Sequence, residues 1–205
     1  MKISFSLLAI LSLAGIVNAN AASIDFSDRV ITNSVDNTNY QASWNAQTSA
    51  ISSRSFSDIN GALLNTGSGG FGLWQVSFYN SSTTDSWSFK LAPDAGLGGE
   101  LYIDGNKVGS NTNDMWWGGN STNTSQMIIS TGANLSVGEH TMTLYYAEVC
   151  CNGPVGAWFS TGGNYQNLSV ANLNAAATPL PAAVFFVAPA LAGVFGFSRR
   201  KAAKA

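Results

Sequence analysis

The chain has a polar middle between two apolar ends, and this division limits the stretch that can fold as a globular domain. Lys2 carries a positive charge, residues 7–17 form an apolar run, and Ala19-Asn20-Ala21 has the small-x-small pattern of a cleavage site. A charged start, a short apolar core and small residues at the end are the three parts of a secretory signal peptide. We therefore predict a signal peptide over residues 1–21 and an exported mature protein.

The C-terminal end has the order of a membrane anchor. The segment Thr178-Pro179-Leu180-Pro181 precedes sixteen apolar residues, 182–197, and the basic residues Arg199, Arg200 and Lys201 follow. The run is slightly short of the about 17–25 residues of a spanning helix, and flanking residues at both ends close the gap. Basic residues directly after an apolar run are expected to stay in the cytoplasm. We predict a C-terminal transmembrane helix that holds the precursor in the inner membrane.

This Pro-x-Pro triplet, membrane span and terminal Arg-Arg-Lys resemble the PEP-CTERM sorting signal of Gram-negative bacteria that make exopolysaccharide. In that family an exosortase, a membrane enzyme similar to transpeptidases, recognises the tail and removes it. The chain departs from the usual motif at Leu180, where most members have Glu. The resemblance implies that residues 178–205 are the sorting signal and that an exosortase-type enzyme is a partner. It also implies a final location at the cell surface or in the extracellular matrix.

The remaining residues, 22–177, have the length of one domain and are acidic. All eleven acidic residues of the chain lie there with only four of its nine basic ones, so the net charge is −7 against −2 for the whole chain. Such a surface repels the phosphate backbone of nucleic acids. We therefore expect no nucleic-acid partner, and the charge is compatible with neutral sugars or divalent cations.

The composition of this middle stretch favours β structure. It is rich in Gly, Asn, Ser, Thr and aromatic residues and poor in strong helix formers. Apolar and polar residues alternate most clearly over residues 140–147. We predict an all-β fold, a single antiparallel, jelly-roll-like β-sandwich over residues 22–170, followed by a flexible stalk over 171–177. Strands are predicted at 23–31, 40–44, 73–79, 87–91, 100–103, 126–130, 140–147, 156–160 and 165–170, with long loops at 65–72 and 110–125.

Asp104-Gly105-Asn106 supplies the positive φ angles of a tight hairpin turn. Residues 87–170 resemble protective-antigen-type β-sandwich domains. The segments that carry this resemblance are 99–105, 135–140 and 145–148. Such domains occur in adhesins and in sugar-binding modules linked to glycosidases. Adhesin members often carry an Asp-Asp pair before the hairpin that binds calcium and sugar.

The corresponding stretch here, Pro93-Asp94-Ala95-Gly96, keeps one acid of that pair. The resemblance implies calcium as a candidate cofactor, with Asp94 and Asp104 as candidate ligands and Asp114 as a third. No other cofactor is expected.

Cys150 and Cys151 are adjacent and are the only cysteines. Free thiols rarely persist in exported proteins, so three fates are open: a disulfide within the pair, a bridge to another chain, or a metal site. We favour the first, although Cα atoms about 3.8 Å apart are closer than in most disulfides. Cys150-Cys151-Asn152-Gly153 with the later Pro-x-Pro tail also resembles the Cys-Cys-x-Gly subgroup of PEP-CTERM proteins, which implies location and architecture but no activity.

Trp116 and Trp117 lie in a polar loop and are the strongest candidates for ligand contact. Exposed indoles stack on sugar rings, and Asp114 and Glu148 are candidates for hydrogen bonds to the same ligand. The alternative is that at least one indole packs on the sandwich, because neighbouring residues of an extended segment point to opposite sides.

Catalysis has little support in the sequence. His140 is the only histidine and is expected at the surface, and no Gly-x-Ser-x-Gly motif occurs. Two carboxylate pairs, Asp104 with Asp114 and Asp104 with Glu148, are candidates for glycoside hydrolysis. We predict an exported protein that binds or organises exopolysaccharide without catalysis. Two alternatives stay open: an interaction protein linked through its cysteine pair, and an adhesin that depends on divalent cations.

Overall fold

The computed structural model describes residues 21–64, 69–151 and 153–177. The apolar run of the predicted signal peptide, the predicted transmembrane helix and the sorting signal lie outside these residues. Within the described ranges, no helix has the length and hydrophobicity needed to cross a bilayer.

Ten strands and two α-helices form the described part of the chain, and the strands make two antiparallel sheets. The first sheet has the strand order β2-β1-β3-β8-β5-β6, and the second has the order β10-β9-β4-β7. A 3-10 turn lies at Thr124–Gln126. The elements are β1 (Ser23–Val30), α1 (Tyr40–Ala46), β2 (Ser52–Ser55), β3 (Gly70–Asn80), β4 (Ser86–Ala92), β5 (Gly99–Ile103), β6 (Asn106–Asn111), β7 (Ile128–Asn134), β8 (Gly138–Glu148), β9 (Gly156–Thr161), β10 (Gln166–Asn167) and α2 (Val170–Ala177).

The two sheets pack face to face around one main core. Trp74, Val76 and Phe78 of β3 project from the inner face of the first sheet, because alternate residues of a strand share a side. They belong to the same buried cluster as Phe89 of β4 and Phe159 of β9 in the second sheet. The predicted antiparallel β-sandwich is therefore confirmed in its architecture.

One end of the outer face of the first sheet is covered by α1, where the sequence predicted a strand over residues 40–44. Asn39 caps this helix, since its side-chain oxygen accepts a hydrogen bond of 2.9 Å from the backbone N–H of Ala42. Tyr40 and Trp44 are four residues apart and so lie on one helix face, and both pack against Phe71 of β3. The strand prediction was wrong because five residues are too few to separate the two periods.

The predicted flexible stalk at 171–177 is also wrong, because these residues belong to α2. Leu173 is fully buried in the main core, and Asn174 accepts a hydrogen bond of 2.8 Å from the backbone N–H of Ala22. The strand predicted over 165–170 is reduced to the two residues of β10 before this helix begins. Alanine is the strongest helix former, and the packing of Leu173 and Ala177 against the sandwich stabilises this short helix.

Replacing Leu173 by Ala tests whether this segment is part of the folded domain. We expect Leu173→Ala to lower the free energy of unfolding by about 2–5 kcal/mol, the usual effect of truncating a buried leucine. The measurement is denaturant-induced unfolding of the purified protein. The control is Ala175→Ser on the exposed side of the same helix, which should change stability little. Equal stability of both variants would mean that residues 171–177 do form a loose stalk.

Candidate ligand-binding site

Two long loops at one end of the sandwich are joined by a short backbone bridge. Ala95, in the loop between β4 and β5, exchanges two backbone hydrogen bonds of 3.1 Å with Met115, in the loop between β6 and β7. Both residues are buried, so the bridge is anchored in the core. Since Asp94 and Asp114 directly precede the bridged residues, the bridge brings these two carboxylates to the same place.

A third loop, between β8 and β9, is fastened to the first by Glu148. This side chain lies at the end of β8 and is buried. One carboxylate oxygen accepts a hydrogen bond of 2.9 Å from the N–H of Gly96, and the other accepts from Val149 at 2.7 Å and Cys150 at 2.8 Å. A buried carboxylate needs such donors, because burial without them is unfavourable. Glu148 therefore holds two loops together, and both of its oxygens are already engaged.

The three loops surround an open cavity of about 430 Å³. This volume falls within the range of about 300–1,000 Å³ that is usual for small-molecule sites. Four of the candidates from the sequence, together with both cysteines, line this one cavity. The lining residues are Asp94, Gly96, Asp114, Trp116, Glu148, Val149, Cys150, Cys151 and Gly153.

Trp116 is held in the cavity wall with 45% of its surface exposed. Its backbone N–H donates a hydrogen bond of 2.7 Å to the side-chain oxygen of Gln126. Its six-membered ring packs directly on Gly153, where a Cβ atom would lie only 2.0 Å from the ring. The indole is thus fixed in position while much of its surface faces solvent.

Trp117 takes the opposite role and does not line the cavity. It is buried, its indole N–H donates a hydrogen bond of 2.7 Å to the carbonyl of Pro154, and its ring lies 5.3 Å from that of Trp158. With Ala92 and Met127 it covers the outer face of the second sheet. One of the two adjacent indoles therefore packs on the sandwich and the other stays open to solvent.

Acidic side chains give the cavity a negative charge. Burial raises the pKa of the Asp94 carboxyl above its usual range, the N–H of Gly153 lowers it through a hydrogen bond of 2.5 Å, and the charge of Asp114 raises it further. No lysine or arginine among the described residues lines the cavity. Their four basic side chains contact other parts: Arg29 and Arg54 lie over the rings of Trp44 and Phe26, Lys90 lies over Tyr165, and Lys107 pairs with Glu100.

Cys150 and Cys151 form a disulfide with each other, as the sequence predicted. Both residues are exposed at the cavity, and Cys151 has a φ of 71°, in the left-handed region that side chains rarely adopt. With both sulfurs bonded to each other, neither the predicted alternative of a bridge to another chain nor that of a thiolate metal site is formed.

Asp104 lies away from this cavity, which separates the two acids proposed as calcium ligands. It sits in the turn between β5 and β6, so the whole of β5, about 16 Å of strand, lies between it and the loop that carries Asp94. No group of three His, Cys, Asp or Glu side chains within the described ranges is placed to hold a metal ion. Asp104 therefore lies apart from the cavity that Asp94, Asp114 and Glu148 line.

His140 is buried, where the sequence suggested a surface residue. Its Nδ1 atom lies 2.6 Å from a carboxylate oxygen of Asp104, and its Nε2 atom lies 2.9 Å from the carbonyl oxygen of Ser136. The other oxygen of Asp104 accepts a hydrogen bond of 2.9 Å from the N–H of Thr141. His140 and Asp104 thus connect the hairpin turn to the start of β8.

The sequence did not identify the residues that shape the cavity floor. Gly153 seats the indole, and Gly96 leaves room for Glu148, since a Cβ atom there would lie 2.9 Å from its carboxylate. The only available signal was Asn152-Gly153-Pro154, which indicates a turn but not its partner.

Comparison with known proteins identifies the fold. The protein-family models and the curated protein sequences include no match to this chain. Among solved structures, it is similar to the PA14 domain of the MpAFP antifreeze protein, with a TM-score of 0.52, 14% identity and coverage of 75% of this chain and 89% of that one. This likeness shows a shared PA14-type β-sandwich fold and agrees with the resemblance noted in the sequence.

Two further solved structures share weaker likeness. One is the PA14 sugar-binding domain from an RTX adhesin, with a TM-score of 0.48, 9% identity and coverage of 74% of this chain and 97% of that one. The other is the epithelial adhesin 9 A domain of Candida glabrata in complex with Galβ1-4GlcNAc, with a TM-score of 0.41, 9% identity and coverage of 72% and 87%.

The pKa of Asp94 gives a test of the charge in the cavity. Because the folded protein holds this proton more tightly than the unfolded chain, ionisation of Asp94 reduces stability as the pH rises above about 4. We therefore expect Asp94→Asn to raise the melting temperature at pH 7 and to leave it unchanged at pH 3. Asp85→Asn, away from the cavity, is the control. A lower melting temperature of Asp94→Asn at pH 7 would contradict the raised pKa of Asp94.

Proposed function

We propose that this protein is an exported surface or matrix component that binds exopolysaccharide without catalysis. An exosortase-type enzyme processes it at residues 178–205, after the predicted transmembrane helix has held the precursor in the inner membrane. The charged start and small residues at 1–21 and the ordered Pro-x-Pro, apolar and basic segments of the tail support this route. The acidic β-sandwich between the two signals is the part that works outside the inner membrane.

The observation that carries the binding proposal is the exposed indole of Trp116, fixed on Gly153 beside Asp94 and Asp114. An indole face that is held still and half open to water provides an apolar surface for the C–H face of a sugar ring. Carboxylate oxygens next to it accept hydrogen bonds from sugar hydroxyl groups. A cavity of about 430 Å³ that combines these groups suits a short stretch of a polysaccharide chain.

The charge of the cavity selects among polysaccharides. Asp94, Asp114 and Glu148 face or border the cavity, and the described chain supplies no base there. An anionic polymer would bring like charges into this site, whereas a neutral or amino-bearing sugar meets hydrogen-bond acceptors of favourable sign. We propose neutral and amino-bearing glycans as the ligand class.

The positions of Asp104 and Glu148 do not support the carboxylate pairs that the sequence suggested for glycoside hydrolysis. Glycoside hydrolysis uses two carboxyl groups on either side of the scissile bond. Asp104 lies beyond β5, and the oxygens of Glu148 are engaged by three backbone N–H groups. Asp104 is therefore separated from Asp114 by β5, and the pair of Asp104 with Glu148 lacks a free carboxylate on Glu148, which supports the proposal of binding without catalysis.

Replacing the exposed indole tests the proposed function. We expect Trp116→Ala to weaken binding to chito-oligosaccharides or to exopolysaccharide extracted from the producing cells about tenfold, or about 1.4 kcal/mol, because a stacking surface is lost. Tyr165→Ala, which removes a partly exposed aromatic ring outside the cavity, is the matched control and should bind normally. Alginate, a polyanion, should bind to neither variant.

Two outcomes of this titration would remove the proposal. The first is the absence of binding to any of these glycans, and the second is equal binding by the wild-type protein and Trp116→Ala. Release of reducing ends during incubation would instead indicate an enzyme. Repeating the titration with calcium and with a chelator examines the remaining alternative, an adhesin in which Asp94 and Asp114 hold a divalent cation. Binding that disappears with the chelator would favour that alternative.

A further inference from the structure

The disulfide between adjacent cysteines has no evident role in the stability of the whole domain. A disulfide ordinarily stabilises a fold by closing a long loop of the unfolded chain, and the effect grows with the length of that loop. The Cys150–Cys151 bond closes only a small ring with no residue between its partners, because they are neighbours in sequence. Both residues are also exposed rather than packed in a core. Its effect must therefore be local, on the backbone of the loop between β8 and β9.

That stretch of backbone carries the contacts that shape the cavity. The N–H of Cys150 donates to Glu148, which also holds the loop of Gly96. Two residues after Cys151, the N–H of Gly153 donates to Asp94. The disulfide thus sits between the two points at which this loop is attached to the loop between β4 and β5.

The same stretch also seats the indole of Trp116. Its ring rests on Gly153 with no room for a Cβ atom between them, so a shift of Gly153 moves the support of the ring. Cys151, just before, has a φ of 71°, which a residue with a side chain leaves unless the structure holds it there. The bond to Cys150 restricts the backbone at this residue, because it closes a ring that includes the Cys150–Cys151 peptide.

We infer that the Cys150–Cys151 disulfide is part of the ligand-binding surface and holds the cavity in its binding form, so that the oxidised protein binds its glycan and the reduced protein releases it. This inference rests on the proposed function. Both cysteines line the cavity with a polarisable disulfide, and the ring they close lies two residues before Gly153, on which the indole rests. The pair thereby makes binding depend on the redox state outside the inner membrane.

The redox step needs a dithiol as reductant. One thiolate of the dithiol attacks a sulfur of the pair, the bond between Cys150 and Cys151 breaks, and a mixed disulfide forms. The second thiol of the reductant then attacks the mixed disulfide and releases the cysteine bound in it. The protein is left with two thiols and the reductant with one disulfide. Two electrons and two protons have passed to the protein, and a disulfide oxidant reverses the change. The exposure of both cysteines makes the attack possible.

The affinity of the purified, processed protein for exopolysaccharide extracted from the producing cells tests this inference. It is measured in the oxidised protein, after reduction with dithiothreitol, and after reoxidation. We expect about tenfold weaker binding in the reduced state and recovery on reoxidation. Titration of two new thiols confirms that the bond was broken. The double variant Cys150→Ser, Cys151→Ser should bind as weakly as the reduced protein and should not respond to dithiothreitol.

A second measurement follows the geometry of the cavity directly. Nuclear magnetic resonance signals of the Cys150 and Gly153 amides and of the Trp116 indole N–H should shift on reduction, while the signals of Gly163, which has open space around it, should stay in place. Unchanged cavity signals after both thiols are titrated would overturn the inference. Equal affinity in the two redox states would overturn it as well and leave the proposed function standing. No binding by the oxidised protein would overturn both.

Discussion

The pairing of β3 with β8 is the interaction on which the rest of the structure depends. The two strands pair antiparallel over their whole length, from Gly70 opposite Glu148 to Asn80 opposite Gly138. Gly72 lies opposite Tyr146 and leaves room for its ring, since a Cβ atom at Gly72 would lie 2.2 Å from it. One face of this pair packs against the second sheet, and α1 covers the other face near Phe71 and Tyr145, while Gln75 and Ser77 on that face stay exposed. The ladder has one favourable register, because a slip by one residue would exchange its core face for its partly exposed face.

This register also decides where the candidate site lies. In this register β8 ends at Glu148. This residue lies at the end of the sandwich where the loops after β4 and β6 meet through Ala95 and Met115. A carboxylate delivered to that point binds the backbone N–H groups of two loops, and the cost of burying its charge is offset by three hydrogen bonds. The loops are thus arranged by the sheet beneath them, as is usual for binding sites on rigid scaffolds.

Alternation in sequence was enough to predict most of the strands, because each buries one face against the core. It missed β2, whose four residues are exposed, and it gave no strand range for β6, whose residues are exposed or half-buried. It also misassigned residues 40–44 and 171–177, whose helical form depends on the Asn39 cap and on packing against distant residues. The sequence singled out Trp116, Asp114 and Asp94 as candidate site residues, but it did not predict that they line one cavity. This arrangement depends on the Ala95–Met115 bridge, and sequence gave no sign that Asp104 would lie at the other end of β5.

The adjacent tryptophans explain how a polar loop can present an exposed indole in a fixed position. Neighbouring residues of an extended segment point to opposite sides, so one ring faces the sandwich when the other faces out. Trp117 packs with Trp158 and binds the carbonyl of Pro154, and it thereby anchors the loop on the second sheet. Trp116 then rests on Gly153, one residue before that same proline. The buried indole and the exposed one are attached to the same turn, so the disulfide just before it is placed to influence both the support of Trp116 and the shape of the cavity.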